Sequence, residues 1–340
     1  MNQFEVENYD DARLGRVSTG TGTSTAAESS QAVGQHQRGG AVSVRAGDVE
    51  IARYETDPDS PQDEAPKPYL FPLRFTGGAE ASVRRPWDHR WHTGLQFTWS
   101  HVDDQNFWGG ASFDKETKWY VMKDNLGTMR HTGFRTAPAG GDEVVLDEDL
   151  QWITAAGEHW IDEHRVQRLH SLDLNRFAEG RGIWAVDLVT EITNVRGSTI
   201  DLGSPTTAGR EKAGYTGWFW RGPRSWTGCK VVSSTGMEED STIMGTEAEW
   251  VAFSSEHDDF NGGGTVLVYS GSSTSEDTAV PPVKWFTRTG IFAVASPSPA
   301  FDQEIHLPAD GTLKLNHRFV FIDQLLEGDE LTAIAQEYAL

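Results

Sequence analysis

Residues 84–110, RRPWDHRWHTGLQFTWSHVDDQNFWGG, carry the alternation that decides the fold. Leu95, Phe97 and Trp99 alternate with Gln96, Thr98 and Ser100, the period-two pattern of a strand with one apolar face. Pro86 and Gly94 stand before this run and the Gly109-Gly110 pair after it, so the strand is short and its flanks are turns or loops. Those flanks are chemically dense. Trp87, Asp88, His89, Arg90, Trp91 and His92 precede the strand, and Asp103, Asp104, Asn106 and Trp108 follow it. Stability alone does not require that mixture. Histidines and carboxylates move protons or hold metals, and tryptophans supply flat apolar walls, so the segment reads as the lining of a small-molecule site.

Outward from this strand the same period recurs. Residues 41–55, 69–75, 118–123, 127–134, 143–150, 164–174, 183–195, 229–234, 250–254, 264–270, 290–296 and 313–322 all read as strands, separated by glycine or Asp/Asn clusters at hairpin spacing. Tyr69, Phe71, Leu73 and Phe75 define one apolar face, Trp184, Val186, Leu188 and Ile192 a second, and Leu313, Leu315, Phe319 and Phe321 a third. Only residues 329–338 have helical spacing, with Leu331, Ile334, Ala335 and Tyr338 on one side and Asp329 as the expected cap. No repeat of solenoid length occurs. The expected fold is all-β, a large antiparallel β-sandwich with one short C-terminal helix, and a jelly roll is the alternative. Residues 41–340 read as a single sandwich domain. Residues 1–40 read as an N-terminal extension, flexible over 17–40, where Gly, Ser, Thr and Ala offer nothing to bury and His36 is expected to be solvated.

The 340 residues contain 29 Lys and Arg against 51 Asp and Glu, a net charge of -22 that opposes nucleic acid and anionic membrane as partners. The charge favours a neutral or cationic partner, a small-molecule sugar is the partner expected from the aromatic clusters, and self-association is left open. Cys229 is the only cysteine, which excludes an internal disulfide framework and fits a reducing compartment. The N-terminal MNQFEVENYDDARLGR lacks the pattern of a secretory signal, and no run approaches the ~20 apolar residues of a membrane helix, so a cytoplasmic location is expected. Thirteen tryptophans suit a sugar-binding surface, though tryptophan-rich β cores share this trait.

A second dense stretch, residues 205–226, interleaves Arg210, Glu211, Lys212, Arg221 and Arg224 with Tyr215, Trp218, Phe219, Trp220 and Trp226. Solvated loops rarely hold so many rings, so it is expected to form the other half of a pocket. Arg210 beside Glu211 should keep that carboxylate ionised, and the arginines can fork onto hydroxyls or a carboxylate. His131, at the end of NLGTMRH, is a third candidate. Trp152, Trp160, Glu163 and His164 read as packing. His89 and His92 have opposite parity and converge only if the chain turns between them. Asp88, His89, His92 and His131 match no defensible metal spacing, so no cofactor is expected and a divalent metal is the lesser alternative. Acyl-transfer, phosphate-loop and dinucleotide motifs are absent.

The segments KPYLFPLRFTGG (67–78), DHRWHTGLQFTWSHVDDQNFWGG (88–110), GTMRH (127–131), GREKAGYTGWFWRGPRSW (209–226) and AFDQEIHLPADGTLKLNHRFV (300–320) together resemble the bacterial PmoA-like family of unknown function. That family has P-Y-hydrophobic-x-P-L, D-H-P-H-H-x-G-L-W-F-x-W and N-F-W in this order. The resemblance spans about residues 42–323. This chain departs at Arg90 and Trp91, where the family more often has Pro and His, and the lost histidine weakens a metal reading further. The family's label refers to a membrane copper protein, whereas this chain has no membrane segment. The resemblance implies a sandwich similar to the galactose mutarotase supersandwich, a fold used by sugar epimerases, lyases and several glycosidases. The His-acid and Glu-base pattern of mutarotases does not occur at the expected places.

The leading expectation is therefore a carbohydrate-active enzyme cleaving a glycosidic bond by acid/base catalysis, with Glu211 and either Asp88 or Asp104 as the carboxylate pair. His89, His92 and His131 would donate or relay protons. Trp91, Trp108, Trp218 and Trp220 would stack on the sugar, and Asn106, Arg210, Arg221 and Arg224 would bind its polar groups. Epimerisation, mutarotation or β-elimination would use much the same residues. A non-catalytic carbohydrate-binding protein is the alternative from another class.

Overall fold

The structure is a computed structural model that describes residues 4–7 and 40–340. The flexibility expected over 17–40 and the solvated His36 fall outside the described residues, apart from Gly40. Two antiparallel sheets of eight strands each form the body of the molecule, beside a three-stranded sheet and a two-stranded one. In the first, the spatial order is Phe4–Glu7, Ala41–Ala46, Val49–Glu55, Tyr69–Leu73, Leu95–Thr98, Gly217–Arg221, Val294–Ser298 and Lys284–Arg288. In the second it is Lys230–Ser233, Trp250–Glu256, Gly263–Thr274, Thr312–Ile322, Ile183–Asn194, His159–Asp173, Glu143–Ile153 and Thr128–Thr136. The all-β sandwich expected from the alternation is what forms. A jelly roll does not, because most of the second sheet is a meander in which consecutive strands pair directly.

The apolar faces identified by period two meet between the sheets. Leu95, Phe97 and Trp99 pack in one core with Trp184, Val186, Leu188, Ile192, Leu313, Leu315, Phe319 and Phe321. At Tyr69–Leu73 the simple alternation fails, since Leu70 and Leu73 enter the core and Phe71 is only half-buried. A register shift places Ala52 opposite Leu73 but Tyr54 opposite Leu70, so a bulge resets the parity. The tryptophans serve mainly this core. Trp99, Trp184, Trp220 and Trp285 are fully buried, and each indole N–H donates to a backbone carbonyl 2.8–3.0 Å away.

Two departures bear on the site. Gly217–Arg221, read from sequence as part of a pocket loop, is a central strand buried on both faces, and such strands show no polar alternation. Lys284–Arg288 is an edge strand that the sequence did not signal, and the strand expected from residue 290 begins at Val294. The helix Gly328–Glu337 covers the outer face of the second sheet through Leu331, Ile334 and Ala335. Its cap is Glu327 rather than Asp329, which lies in the first turn where its charge still complements the helix dipole. No helix among the described residues is long and apolar enough to cross a membrane.

Candidate functional site

Strand parity builds the site. In Gly217–Arg221, Trp218 and Trp220 point into the inter-sheet core, so Phe219 and Arg221 point to the opposite face. In Lys284–Arg288, Trp285 joins the core and Phe286 the outer cluster. The outer face of the first sheet thus carries Phe219, Phe286 and Val294, over which Trp108, Tyr215 and Phe292 fold to form a second apolar cluster. A cavity of about 510 Å³ opens there, walled by Trp91, Trp108, Tyr215, Phe219, Phe286 and Phe292 and carrying His89, His92, Tyr120, Arg210 and Arg288.

The histidine segment reaches this cavity as a hairpin. Arg84 bridges Thr93, and Arg85 N–H donates to the His92 carbonyl at 2.8 Å. Two successive turns, from His89 N–H to the Pro86 carbonyl and from His92 N–H to the His89 carbonyl, fold the tip. The chain therefore turns as convergence requires. The His89 and His92 rings stack with centroids 4.7 Å apart and planes 16° from parallel. The downstream loop is shaped by Asn106, whose Oδ1 accepts from the Trp108 and Gly109 N–H groups at 2.8 and 3.1 Å, and whose Nδ2 donates to the Gly110 carbonyl. The two glycines follow from contact with Trp91. A Cβ on Gly109 would stand 2.5 Å from Trp91 Cβ, and one on Gly110 2.6 Å from its Cη2, both at positive φ.

Arg221 links the strand to the hairpin. Its Nη1 donates to His92 Nδ1 at 2.9 Å and its Nη2 to Asp88 Oδ2 at 3.0 Å, while its guanidinium lies 3.7 Å from the Phe292 ring centroid. A guanidinium only donates, so His92 Nδ1 accepts and the proton of the neutral ring resides on Nε2, a buried atom with no protein partner. Burial, then the charges of His89, Arg221 and Lys67, push the His92 pKa well below the usual value, so the ring is neutral near pH 7. Burial lowers His89 as well, opposed by Asp88, whose carboxylate lies 3.4 Å from Nδ1, too long and poorly aligned for a full hydrogen bond. Burial would raise the Asp88 carboxyl, but the bonds and charge of Arg221 outweigh it and hold the group below its ordinary range.

Behind the hairpin, Lys67 is buried and donates to the Glu64 and Trp108 carbonyls at 3.1 and 3.0 Å, tying the aromatic loop down. Burial brings its pKa to about 7, against the opposing charge of Glu64. Glu64 in turn receives a two-pronged bond from Arg85.

Of the residues singled out in the sequence, His89, His92, Trp91, Trp108 and Arg210 line the cavity, and Asp88, Arg221 and Asn106 support it from behind. The others lie elsewhere. Glu211 is exposed and outside the lining, because the turn that carries Arg210 inward sends its neighbour out. Asp104 is exposed and accepts from Gln105. Trp218 and Trp220 belong to the inter-sheet core, with their N–H groups bonded to Thr190 and Ala81. Arg224 is exposed beside Trp87, 3.6 Å from Asp88. His131 sits at a different cavity of about 920 Å³ bordered by Asp57, Gln62 and Thr132, with Nδ1 2.6 Å from Glu148. Trp152 and Glu163 pack internally, the indole N–H bonded to the carboxylate at 2.7 Å.

Tyr120, Phe286, Arg288 and Phe292 were not assigned to the site from sequence. Tyr215 and Phe219 were visible in the aromatic stretch, but the 284–292 segment showed no cluster that could have flagged it. The ligand set weighed for a metal does not converge. Among the described residues, the group of potential ligands within 4.8 Å of one another is Asp201, Glu304 and His306, outside the cavity lining.

The chain belongs to a family of unknown function (DUF6807), whose model matches residues 41–336. No curated protein matches it.

Proposed function

We propose that the chain is a carbohydrate-active enzyme that binds a small sugar derivative in the aromatic cavity and moves a proton at a sugar carbon or hydroxyl through His89. The observation that carries this reading is the stacked His89–His92 pair at the wall of that cavity, one ring backed by Asp88 and the other fixed by Arg221. A neutral His89 near pH 7 is competent as a base, and Asp88 stands where it would stabilise the imidazolium that forms. His92 offers a neutral Nε2–H, suited to stabilising negative charge developing on a substrate oxygen. Trp91, Trp108 and Phe292 supply flat faces for the C–H side of a ring. The PmoA-like pattern and its similarity to the mutarotase supersandwich, whose members include epimerases and lyases, support the same class, and a cytoplasmic location is part of the reading.

Proton transfer of the epimerising, mutarotating or β-eliminating type fits better than two-carboxylate hydrolysis, since Glu211 and Asp104 do not line the cavity. Glycoside hydrolysis is the second reading. Its support is Asp88, which backs His89 and could act through it on a water.

The test is a panel of aldoses, ketoses, uronates and simple glycosides followed by NMR in deuterated water, which reads epimerisation, elimination, hydrolysis and C–H exchange together. At least one sugar is expected to react, and His89→Ala to slow it by roughly 10²–10⁴-fold. Binding of sugars without any turnover, lost in Trp108→Ala and untouched in His89→Ala, would replace the enzyme with a binding protein.

A further inference from the structure

The polar inventory of the cavity is one-sided. In a chain with 51 acidic residues, no Asp or Glu belongs to its lining. Arg210 and Arg288 do, and neither forms an ion pair with a carboxylate among the described residues, although arginines elsewhere on the surface do so, as in Arg135–Asp149, Arg176–Glu337 and Arg196–Asp103. The Arg210 guanidinium donates to the Tyr120 hydroxyl and lies over its ring, and Arg288 donates to the Lys212 carbonyl at 3.3 Å and lies beside Phe286. Each guanidinium has five N–H donors, so most remain unused. The buried indole N–H of Trp91 also lacks a protein partner, as does His92 Nε2–H. Unpaired buried donors are costly unless a ligand satisfies them, and the lining offers no carboxylate to either arginine.

We infer that the cavity takes an anionic ligand, a sugar derivative bearing a carboxylate or a phosphate, whose charged group pairs with Arg210 and Arg288. This rests on the reading of the cavity as a sugar site for the sugar, and on two arginines without a carboxylate partner in its lining for the anion. The two cations act locally in a chain whose net charge of -22 repels anions at longer range, a repulsion that salt screens more than the close pairs. Two guanidiniums also suit the planar two-oxygen edge of a carboxylate or the oxygens of a phosphate.

The experiment is calorimetric titration of the full chain with glucose, glucuronate, glucose 6-phosphate and benzoate, repeated with Arg210→Gln and Arg288→Gln. Binding of glucuronate or glucose 6-phosphate at least tenfold tighter than glucose is expected, and whichever is tighter identifies the anion. Each variant should weaken that ligand by tenfold or more, and by a larger factor than it weakens glucose. Arg288→Lys, which keeps the charge, should restore part of the loss and shows that the site still folds. Equal affinity for glucose and both anions, or anion binding indifferent to both arginines, overturns the inference. Arginine-dependent binding of benzoate with no affinity for any of the sugars would uphold the anion site and overturn the sugar reading instead.

Discussion

Replacing Arg165 with Met should cost about 3–5 kcal/mol of folding stability, the range for removing one partner of a buried ion pair. Arg165 has no exposed side chain and lies between the sheets. Its Nε donates to Glu163 Oε1 at 2.6 Å and its Nη1 to the Tyr54 hydroxyl at 3.1 Å, and its guanidinium faces the rings of Phe97 and Trp218 at 5.5 and 5.2 Å. Glu163 is equally buried, and Glu148 lies 4.0 Å from the guanidinium. Met conserves much of the stem's volume but leaves Glu163 with only the Trp152 N–H as partner. Against a typical total of ~5–15 kcal/mol, the loss is a large fraction. Burial already raises the Glu163 pKa despite Arg165, and removing the cation raises it further. A carboxyl whose folded pKa lies above its unfolded value takes up a proton on folding. The Arg165→Met protein should therefore lose stability as pH rises from about 5 through the new Glu163 pKa, relative to Arg165→Met/Glu163→Gln, which keeps an acceptor for Trp152 without a charge. Urea unfolding followed by tryptophan fluorescence at pH 5 and 7 measures all three proteins. A single-variant loss below ~1 kcal/mol, or a double variant no more stable than the single one at pH 7, would refute the reasoning.

Gly110→Ala places a Cβ 2.6 Å from the Trp91 indole at a φ of +63°, so Trp91 must move; ligand affinity should fall several-fold, and a Trp91→Ala background should abolish the effect. Trp220→Ala should cost ~3–5 kcal/mol of stability in thermal or urea melts while leaving ligand affinity of the remaining folded protein unchanged, because the ring belongs to the inter-sheet core. Burial lowers the pKa of His317, which is fully enclosed and donates from Nδ1 to the Ser270 carbonyl, from 6.5 to about 4. Its neutral form is thus favoured by folding above pH 6.5, and that stability drains as pH falls toward 4, by roughly 3 kcal/mol in all. His317→Gln should flatten the acid limb of stability against pH, and an unchanged limb would assign it to other groups.

What the sequence by itself determined is the class of fold and half of the candidate site. Period two in residues 95–100, 183–195 and 313–322 dictates strands with one buried face, and faces of that kind can only be satisfied sheet against sheet. The residue types packed between Asp88 and Trp108 mark a candidate site because chemistry of that density has no packing purpose, and four of them, His89, Trp91, His92 and Trp108, line the cavity. The tertiary structure alone decided how residues 205–226 are shared out. Trp218 and Trp220 looked like platforms for a ligand, and Glu211 like a catalytic carboxylate. A strand buried on both faces gives no outward sign of which side each ring takes, so parity relative to the second sheet had to come from the pairing of Gly217–Arg221 with Leu95–Thr98. That pairing sends the tryptophans to the core and Arg221 to His92, a contact between residues 129 positions apart. The edge strand Lys284–Arg288 brings Phe286 and Arg288 to the same cavity, and no local pattern announces a neighbour supplied by long-range pairing.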